Sequence, residues 1–200
     1  MNQTVLVVRD DRIWTASSLF MRDVYRQIYG AELGQLPRRM LVRLDAFGDV
    51  VCAAGLRTAA EGFFSEHYLD RPIEDLLTDI VDHPVGRDAV CEVTTLVSRA
   101  PHETSEFIDD IVRCLAELDF DWSFYTLTRR LALMLRHKRL SPFDLAPALP
   151  DRVPTPEKWG RYYATAPRVY AVSIDHLPAT ERYAGVLQHH AVHSRSTLSV

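Results

Sequence analysis

The sequence predicts a single α/β domain built on a mixed sheet, and three observations lead to this prediction. The first quarter of the chain reads strand, helix, strand, strand, with turn-forming residues between the last two strands. The middle alternates strand and helix, a pattern typical of strands connected through helices in a parallel or mixed sheet. The length of 200 residues, 47% of them apolar, suffices for one sizeable core.

The N-terminal quarter opens with a short apolar run, residues 5–8, which is typical of a buried first strand. The following helix is predicted to be capped by Ser17 and Ser18 and closed by Gly30. Its apolar side then comprises Leu19, Phe20, Val24 and Ile28. Beyond Pro37, two β-rich runs joined by a turn predict a hairpin over residues 40–45 and 50–57.

Three further helices are predicted in the middle of the chain. Pro72 suits the first position of one helix, and Asp70 is placed to be its N-cap. Pro101 opens a second, strongly amphipathic helix. Residues 131–139 predict a short basic helix.

The remaining strands of the sheet are predicted from β-rich runs at residues 89–97, 122–128 and 169–174. Six prolines from Pro142 to Pro167 predict an extended, turn-rich connection before the last strand. The domain is expected to span residues 1–177. Residues 178–200 are polar and without periodicity, which is typical of a C-terminal tail.

Composition argues against several classes of partner. The formal net charge of −4 disfavours nucleic acid and anionic lipid, which select basic surfaces. The sequence shows neither a signal-peptide pattern nor a run of about 18 apolar residues. A cytoplasmic protein without integral membrane insertion is therefore expected.

Metal, disulfide and common hydrolase chemistry are also disfavoured. The three cysteines, Cys52, Cys91 and Cys114, are widely spaced in apolar stretches and are interpreted as core residues. His189, His190 and His193 lack neighbouring acidic or cysteine ligands, so no metal site is predicted. The patterns of serine hydrolases, phosphate-binding loops, dinucleotide-binding folds and zinc proteases are not found.

Five segments together resemble the thermostable hemolysin family: CAAGLRTA (52–59), FFSEHYLDRPIE (63–74), VCEVTTLVS (90–98), DWSFYTLTRRL (121–131) and WGRYYATAPRVYAV (159–172). The resemblance implies the fold of GNAT-type N-acyltransferases, with a mostly antiparallel central sheet and helices on both faces. It also implies transfer of an acyl group from a coenzyme A or acyl-carrier-protein thioester to a small amine, with no permanently bound cofactor. The alternatives are a membrane-active hemolysin, as the family name suggests, and a non-catalytic thioester-binding module.

A fainter resemblance is to acyl-homoserine-lactone synthases. It is carried by Gly55-Leu56-Arg57 and by the segment from Glu92 to Leu96, which fall in that family's order. Thr95 stands where those enzymes have an arginine, so a homoserine-lactone product is not implied.

Glu92 is the first candidate for a functional residue. It interrupts an otherwise apolar strand, where an unpaired carboxylate would lose hydration at a cost of several kcal/mol. The resemblance places this strand beside the cleft where thioester and amine meet, so Glu92 is a candidate general base. The alternative is a structural ion pair with Arg57 or Arg87.

The resemblance adds further candidates around Glu92. Tyr163 is a candidate to protonate the leaving thiolate, and core or loop packing is the favoured alternative. Arg57, Glu66, Arg87, Thr94 and Thr126 are expected to bind substrate. For Glu66, helix capping or ion pairing is the favoured interpretation.

The donor is expected to bind at the strand end formed by Leu96, Val97, Ser98 and Arg99. Acyl-coenzyme A users of this fold have a glycine-rich loop there, whose backbone N–H groups receive pyrophosphate. This chain instead has Pro101 without an N–H, and Glu103 with a negative charge. A carrier-protein phosphopantetheine is therefore an alternative donor. Its acidic carrier would face a basic cluster formed by Arg129, Arg130, Arg136, Lys138 and Arg139, although a solvated helix face is the other interpretation.

Overall fold

The fold is described from a computed structural model, which covers residues 2–174. The strands are β1 Gln3–Val8, β2 Arg39–Leu44, β3 Val50–Arg57, β4 Val90–Ser98, β5 Trp122–Leu127, β6 Phe143–Pro147 and β7 Arg168–Ser173. The α-helices are α1 Arg12–Tyr29, α2 Ile73–Val81, α3 Pro101–Glu117 and α4 Arg129–His137. The predicted tail, residues 178–200, and its three histidines lie outside the described residues.

The strands form one sheet of seven in the order β1-β2-β3-β4-β5-β7-β6. Neighbouring strands are antiparallel except β4 and β5, which are parallel and connected through α3. The predicted mixed, mostly antiparallel sheet is confirmed. The hairpin of β2 and β3 and the crossover through α3 lie where the sequence predicts them.

Helices cover both faces of the sheet. On one face, Phe107 and Ile111 of α3 pack against Cys91 and Val93 of β4, and α4 extends this layer. The other face carries α1 and α2 together with the segments 59–69 and 150–165. Because side chains alternate along a strand, Glu92 points into this second layer.

β4 and β5 separate towards their carboxyl ends. Their pairing runs from Val90 opposite Trp122 to Val93 opposite Tyr125 and extends no further. β4 continues to Ser98, and on its other side the register with β3 shifts by a bulge near Thr95, which has φ +50°. Left-handed backbone at a β-branched residue is strained, and strain of this kind occurs mainly at functional sites. A wedge-shaped gap therefore opens between two central strands.

Several local predictions about the helices were wrong. Asp11 is the N-cap of α1, because its carboxylate accepts the N–H of Ile13. Ser17 and Ser18 lie inside the helix and donate to backbone carbonyls one turn back. Of the four residues predicted on the apolar side of α1, Phe20 and Val24 are buried, but Leu19 and Ile28 are exposed. Gly30 closes α1 in the left-handed conformation, as predicted.

Two further differences concern α2 and the proline-rich connection. Pro72 itself occupies the N-cap of α2, and the exposed Asp70 pairs with Arg152 instead. Within the connection, β6 was not predicted, because its sequence FDLAP is short and carries no alternation. It forms an edge strand on β7, a position that tolerates proline. Within residues 2–174, no helix has the length and apolar character needed to cross a membrane.

Candidate functional site

The carboxylate of Glu92 is fully buried and accepts three hydrogen bonds. The backbone N–H of Phe64 donates to Oε2 at 2.6 Å, and the N–H of Ser65 donates to Oε1 at 2.9 Å. The Ser65 hydroxyl also donates to Oε1, at 2.6 Å. Burial raises the pKa of Glu92 above its ordinary value, and these hydrogen bonds offset only part of the increase.

No arginine forms an ion pair with Glu92 among the described residues, so the predicted pairing with Arg57 or Arg87 is wrong. Arg57 lies opposite Glu92 across the β3–β4 ladder and contributes only a long-range attraction. Its Nη2 donates to the carbonyl of Gln35 at 3.3 Å. The physical reason is that two backbone amides and a hydroxyl already satisfy the buried carboxylate.

Ser65 connects Glu92 to the gap between the strands. The Ser65 Oγ lies 2.7 Å from Oγ1 of Thr126. Thr126 is the first residue of β5 after the stretch that pairs with β4. Thr94 is the corresponding residue of β4, and both threonines are only partly buried. A continuous hydrogen-bonded chain therefore runs from the opening of the gap, through Thr126 and Ser65, to a buried carboxylate.

A pair of tyrosines lies beside this chain. The hydroxyl groups of Tyr68 and Tyr163 are 2.8 Å apart. Burial raises the pKa of both groups, and for Tyr163 the hydrogen bond to Tyr68 offsets part of the increase. The negative charge of Glu92 is among the causes of the raised pKa of Tyr68, which places that hydroxyl within electrostatic range of the carboxylate. Both phenols are therefore protonated at neutral pH.

Aromatic rings connect this pair with α1. Tyr163 packs on Tyr162, whose ring meets Tyr29 of α1 edge-on at 5.3 Å. The Tyr162 hydroxyl donates to the carbonyl of Thr126 at 3.3 Å. The loop that carries these tyrosines is fastened to the end of α1, because Arg161 N–H donates to the Tyr29 carbonyl at 2.7 Å.

A cleft of about 160 Å³ occupies the open end of the gap. Its walls are the end of β4, the start of α3, the start of α4 and the second half of α1. Leu96, Val97 and Ser98 line it, opposite Thr128 and Arg130, and their contact with a donor stays a prediction. Glu92 and Tyr163 do not line this cleft, and their contact with a substrate stays a prediction.

The start of α3 offers few groups to a pyrophosphate. The N–H of Ala100 is bonded to Ser98 Oγ, and Pro101 has no N–H. The Glu103 carboxylate is held by Arg43 and Asn2. Arg99, a predicted donor-binding residue, pairs with Asp23 and lies over the ring of Phe20, away from the cleft lining.

Glu66 and Arg87 form a separate, half-exposed cluster with Glu74. Arg87 binds both oxygens of Glu66 at 2.7 Å and one oxygen of Glu74 at 2.7 Å. Glu66 also accepts the N–H of Ile73 at the start of α2. Partial burial would raise the pKa of Glu66, but the hydrogen bonds from Arg87 and Ile73 hold it below the ordinary value. Glu66 therefore caps α2 and pairs with Arg87, and a contact of either residue with substrate stays a prediction.

Sequence reasoning missed Ser65 and Tyr68, although both lie in the FFSEHYLDRPIE segment used for the resemblance. Ser65 is 1% exposed and Tyr68 is 2% exposed, unusual burial for polar residues in a connecting segment. The sequence gives little signal for either residue, because Ser65 lies between Phe64 and Glu66, and Tyr68 lies between His67 and Leu69. Their contacts with Glu92 and Tyr163 span 27 and 95 residues, which periodicity does not reveal.

The chain belongs to the thermostable hemolysin family, which residues 7–177 match. The resemblance seen in the sequence is thereby confirmed. A comparison with curated proteins gives no significant match.

Solved structures with the same fold include acyl-homoserine-lactone synthases and an N-acyl amino acid synthase. The acyl-homoserine-lactone synthase LasI is 13% identical with a TM-score of 0.61, over 94% of this chain and 98% of that one. BjaI, a coenzyme A-dependent acyl-homoserine-lactone synthase solved with SAM and isopentyl-CoA, is 10% identical with a TM-score of 0.60, covering 94% and 93%. FeeM, an N-acyl amino acid synthase from uncultured soil microbes, is 12% identical with a TM-score of 0.54, covering 87% and 94%. These matches establish the GNAT-like fold.

Proposed function

We propose that this protein transfers an acyl group from a pantetheine thioester to a small amine. The observation that carries the proposal is the opening between β4 and β5, from which a hydrogen-bonded chain leads to a buried carboxylate. One side of the opening has room for a thioester, and the other side holds a proton acceptor. The enzymes of the same fold, two of which make acyl-homoserine lactones and one an N-acyl amino acid, support this class of reaction.

The pantetheine arm of the donor would lie in the cleft. Beyond Val93, the edge of β4 that faces β5 has no partner strand within residues 2–174, so its peptide groups are available to the amides of the arm. Leu96 and Leu131 provide apolar wall, and Thr128 provides a hydroxyl. This arrangement points the thioester towards Thr94 and Thr126.

Glu92 would act as the final proton acceptor through Ser65 and Thr126. The amine nitrogen attacks the thioester carbonyl, so a C–N bond forms and the C–S bond breaks. The amine proton passes to Thr126 Oγ1, the Thr126 proton passes to Ser65, and the Ser65 proton passes to Glu92 Oε1. Glu92 then contributes without leaving its buried site.

Tyr163 would protonate the departing sulfur. Its raised pKa keeps the phenol protonated, and Tyr68 can donate to its oxygen as negative charge develops there. The thiolate leaves as a free thiol, and Tyr163 regains a proton from solvent. Glu92 returns the amine proton to solvent through Ser65 and Thr126, so the proton released by the amine balances the proton that Tyr163 passes to sulfur and regains from solvent.

The first test is thiol release by the full chain in the presence of an acyl thioester and an amine. Thr126→Val keeps the shape of the side chain and removes the hydroxyl, so kcat is expected to fall about a hundredfold or more. Thr126→Ser restores the hydroxyl and should retain most of the activity. Equal rates for the valine and serine variants would contradict the role of Thr126. A rate of thiol release that does not depend on the amine would contradict acyl transfer to amines.

A carrier protein is the donor that we favour over free coenzyme A. The start of α3 offers little to a pyrophosphate, whereas α4 presents exposed Arg129 and Arg136 on one face, with the 45% exposed Leu133 between them. Neither arginine forms an ion pair within residues 2–174. A basic face with an apolar centre beside the cleft fits an acidic carrier.

The double variant Arg129→Gln/Arg136→Gln tests this choice of donor. We expect KM for an acyl-carrier-protein donor to rise about tenfold, and more at low salt, because both arginines lie on the docking face. KM for a short acyl-pantetheine thioester should stay unchanged, since neither side chain lines the cleft. An unchanged KM for the carrier protein would instead favour coenzyme A.

A further inference from the structure

A second cavity, of about 200 Å³, lies at the opposite end of β5 from the cleft. It is bounded by the end of α2, the start of β5, the end of β7 and the connection from α4 to β6. The side chains that matter here are Val81, Trp122, Arg139, Leu140, Ser141 and Phe143. None of these residues takes part in the proposed transfer reaction.

The body of the cavity is apolar and partly aromatic. Trp122 is 4% exposed, and its ring centroid lies 5.9 Å from that of Phe143. Phe143 keeps 39% of its surface exposed, although it begins a strand next to the core. Val81 and Leu140 complete the wall. An apolar ligand would cover the uncovered part of the Phe143 ring and displace water from it.

Arg139 contributes a positive charge to the wall of this cavity. Among the described residues it forms no ion pair, whereas its neighbour Lys138 binds both oxygens of Asp109 at 2.6 Å. A guanidinium beside an apolar cavity fits a carboxylate, because it offers two parallel donors to the two oxygens. The cavity therefore has an apolar body and a positively charged end.

The backbone at Arg139 adds an independent observation. Arg139 follows the C-cap residue of α4 with φ +61°, a position that favours glycine, and Ser141 has φ +28°. Positive φ at residues with a Cβ is strained, and such strain is concentrated at ligand clamps and active sites. Arg139 thus occupies a position where glycine would suit the fold better.

We propose that this cavity binds a small carboxylic acid with an apolar chain, with the carboxylate on Arg139 and the chain against Trp122 and Phe143. A cavity of roughly 150 Å³ accepts the six carbons of benzene, so the present volume fits about eight carbons. This inference is independent of the acyl-transfer proposal, and its ligand binds without being consumed.

Titration calorimetry of the full chain with octanoate tests the proposal. Octanoate is expected to bind at least about tenfold more tightly than octanamide, which has the same chain without the charge. Arg139→Gln should weaken octanoate binding about tenfold and leave octanamide binding unchanged. Arg136→Gln is the matched control, because Arg136 is exposed in the last turn of α4, three residues before Arg139, and does not line the cavity.

Two further variants distinguish this cavity from the cleft, and a loss of binding from a loss of folding. If octanoate bound in the cleft, Arg130→Gln would weaken it and Arg139→Gln would not, which would overturn the proposal. Arg139→Gly should weaken binding while unfolding at the same or higher denaturant concentration, because glycine relieves the positive φ. Absence of octanoate binding to the wild-type chain, or equal binding of octanoate and octanamide, would also overturn it.

Discussion

Substituting alanine for Gly160 is expected to lower the free energy of unfolding by about 3 kcal/mol or more. Gly160 has φ +54°, and an added Cβ would overlap the carbonyl oxygen of Tyr29 and lie 2.9 Å from the carbonyl carbon and oxygen of Gly30. These are backbone atoms at the end of α1, so no side-chain rotation relieves the clash. The loop must move away, and with it Tyr162 and Tyr163. Acyl transfer should therefore fall together with stability.

Gly62→Ala is the matched control for this prediction. Gly62 has a similar φ of +71°, but an added Cβ would meet no atom within 4 Å. Only the conformational strain remains, which at φ +71° and ψ 157° is about 1 to 3 kcal/mol, so chemical denaturation should show a smaller loss than for Gly160→Ala. Similar losses for the two variants would mean that the close packing of the loop on α1 does not exist in solution.

The second large effect is expected at Glu92. Glutamine has the same shape, but its amide group can accept at only one end, so one of the two backbone N–H donors loses its partner. Denaturation of Glu92→Gln should show a loss of about 1 to 3 kcal/mol. Because the variant also removes the final proton acceptor, kcat should fall by about 10² to 10⁴. Full activity in a folded variant would exclude the acid from the reaction.

The dependence of activity on pH follows from the raised pKa of Glu92. Only the ionised carboxylate accepts a proton, and a raised pKa means that ionisation is complete at a higher pH than for an ordinary glutamate. The kcat/KM of the wild type should therefore decline, as pH falls, at values above the ordinary glutamate pKa of about 4.3. In Glu92→Gln the residual activity should lack this decline. If kcat/KM declined at low pH in both the wild type and Glu92→Gln, the decline would arise from another titratable group.

Patterns along the chain predicted most of the fold, because the strands and helices carry apolar residues at regular spacing. β4, α3 and β5 were found in this way, and the glycine at the end of α1 was found from its conformational freedom. The N-terminal ends of helices were less predictable. Near the start of α1, Asp11 and two serines could each cap the helix, and only Asp11 does. At α2 the N-cap is Pro72, without a side-chain hydrogen bond, and not the nearby Asp70.

The candidate site was only partly predictable. An acid in an apolar strand made Glu92 a candidate general base, with an arginine ion pair as the alternative. Its hydrogen-bond donors are instead the backbone amides of Phe64 and Ser65 and the Ser65 hydroxyl. Backbone donors leave no trace in a sequence, because every residue except proline carries one. The chain of hydroxyls depends on Thr126 and Ser65, which are 61 residues apart and meet only through the geometry of the folded chain.

A double-mutant cycle with Ser65→Ala and Thr126→Val tests the central claim most directly. If both hydroxyls pass the same proton to Glu92 in series, breaking either link interrupts the whole path, and the double variant should release thiol about as slowly as the slower single variant. If the two losses multiply instead, the hydroxyls act independently. That outcome would contradict a proton path from the strand gap to the buried carboxylate.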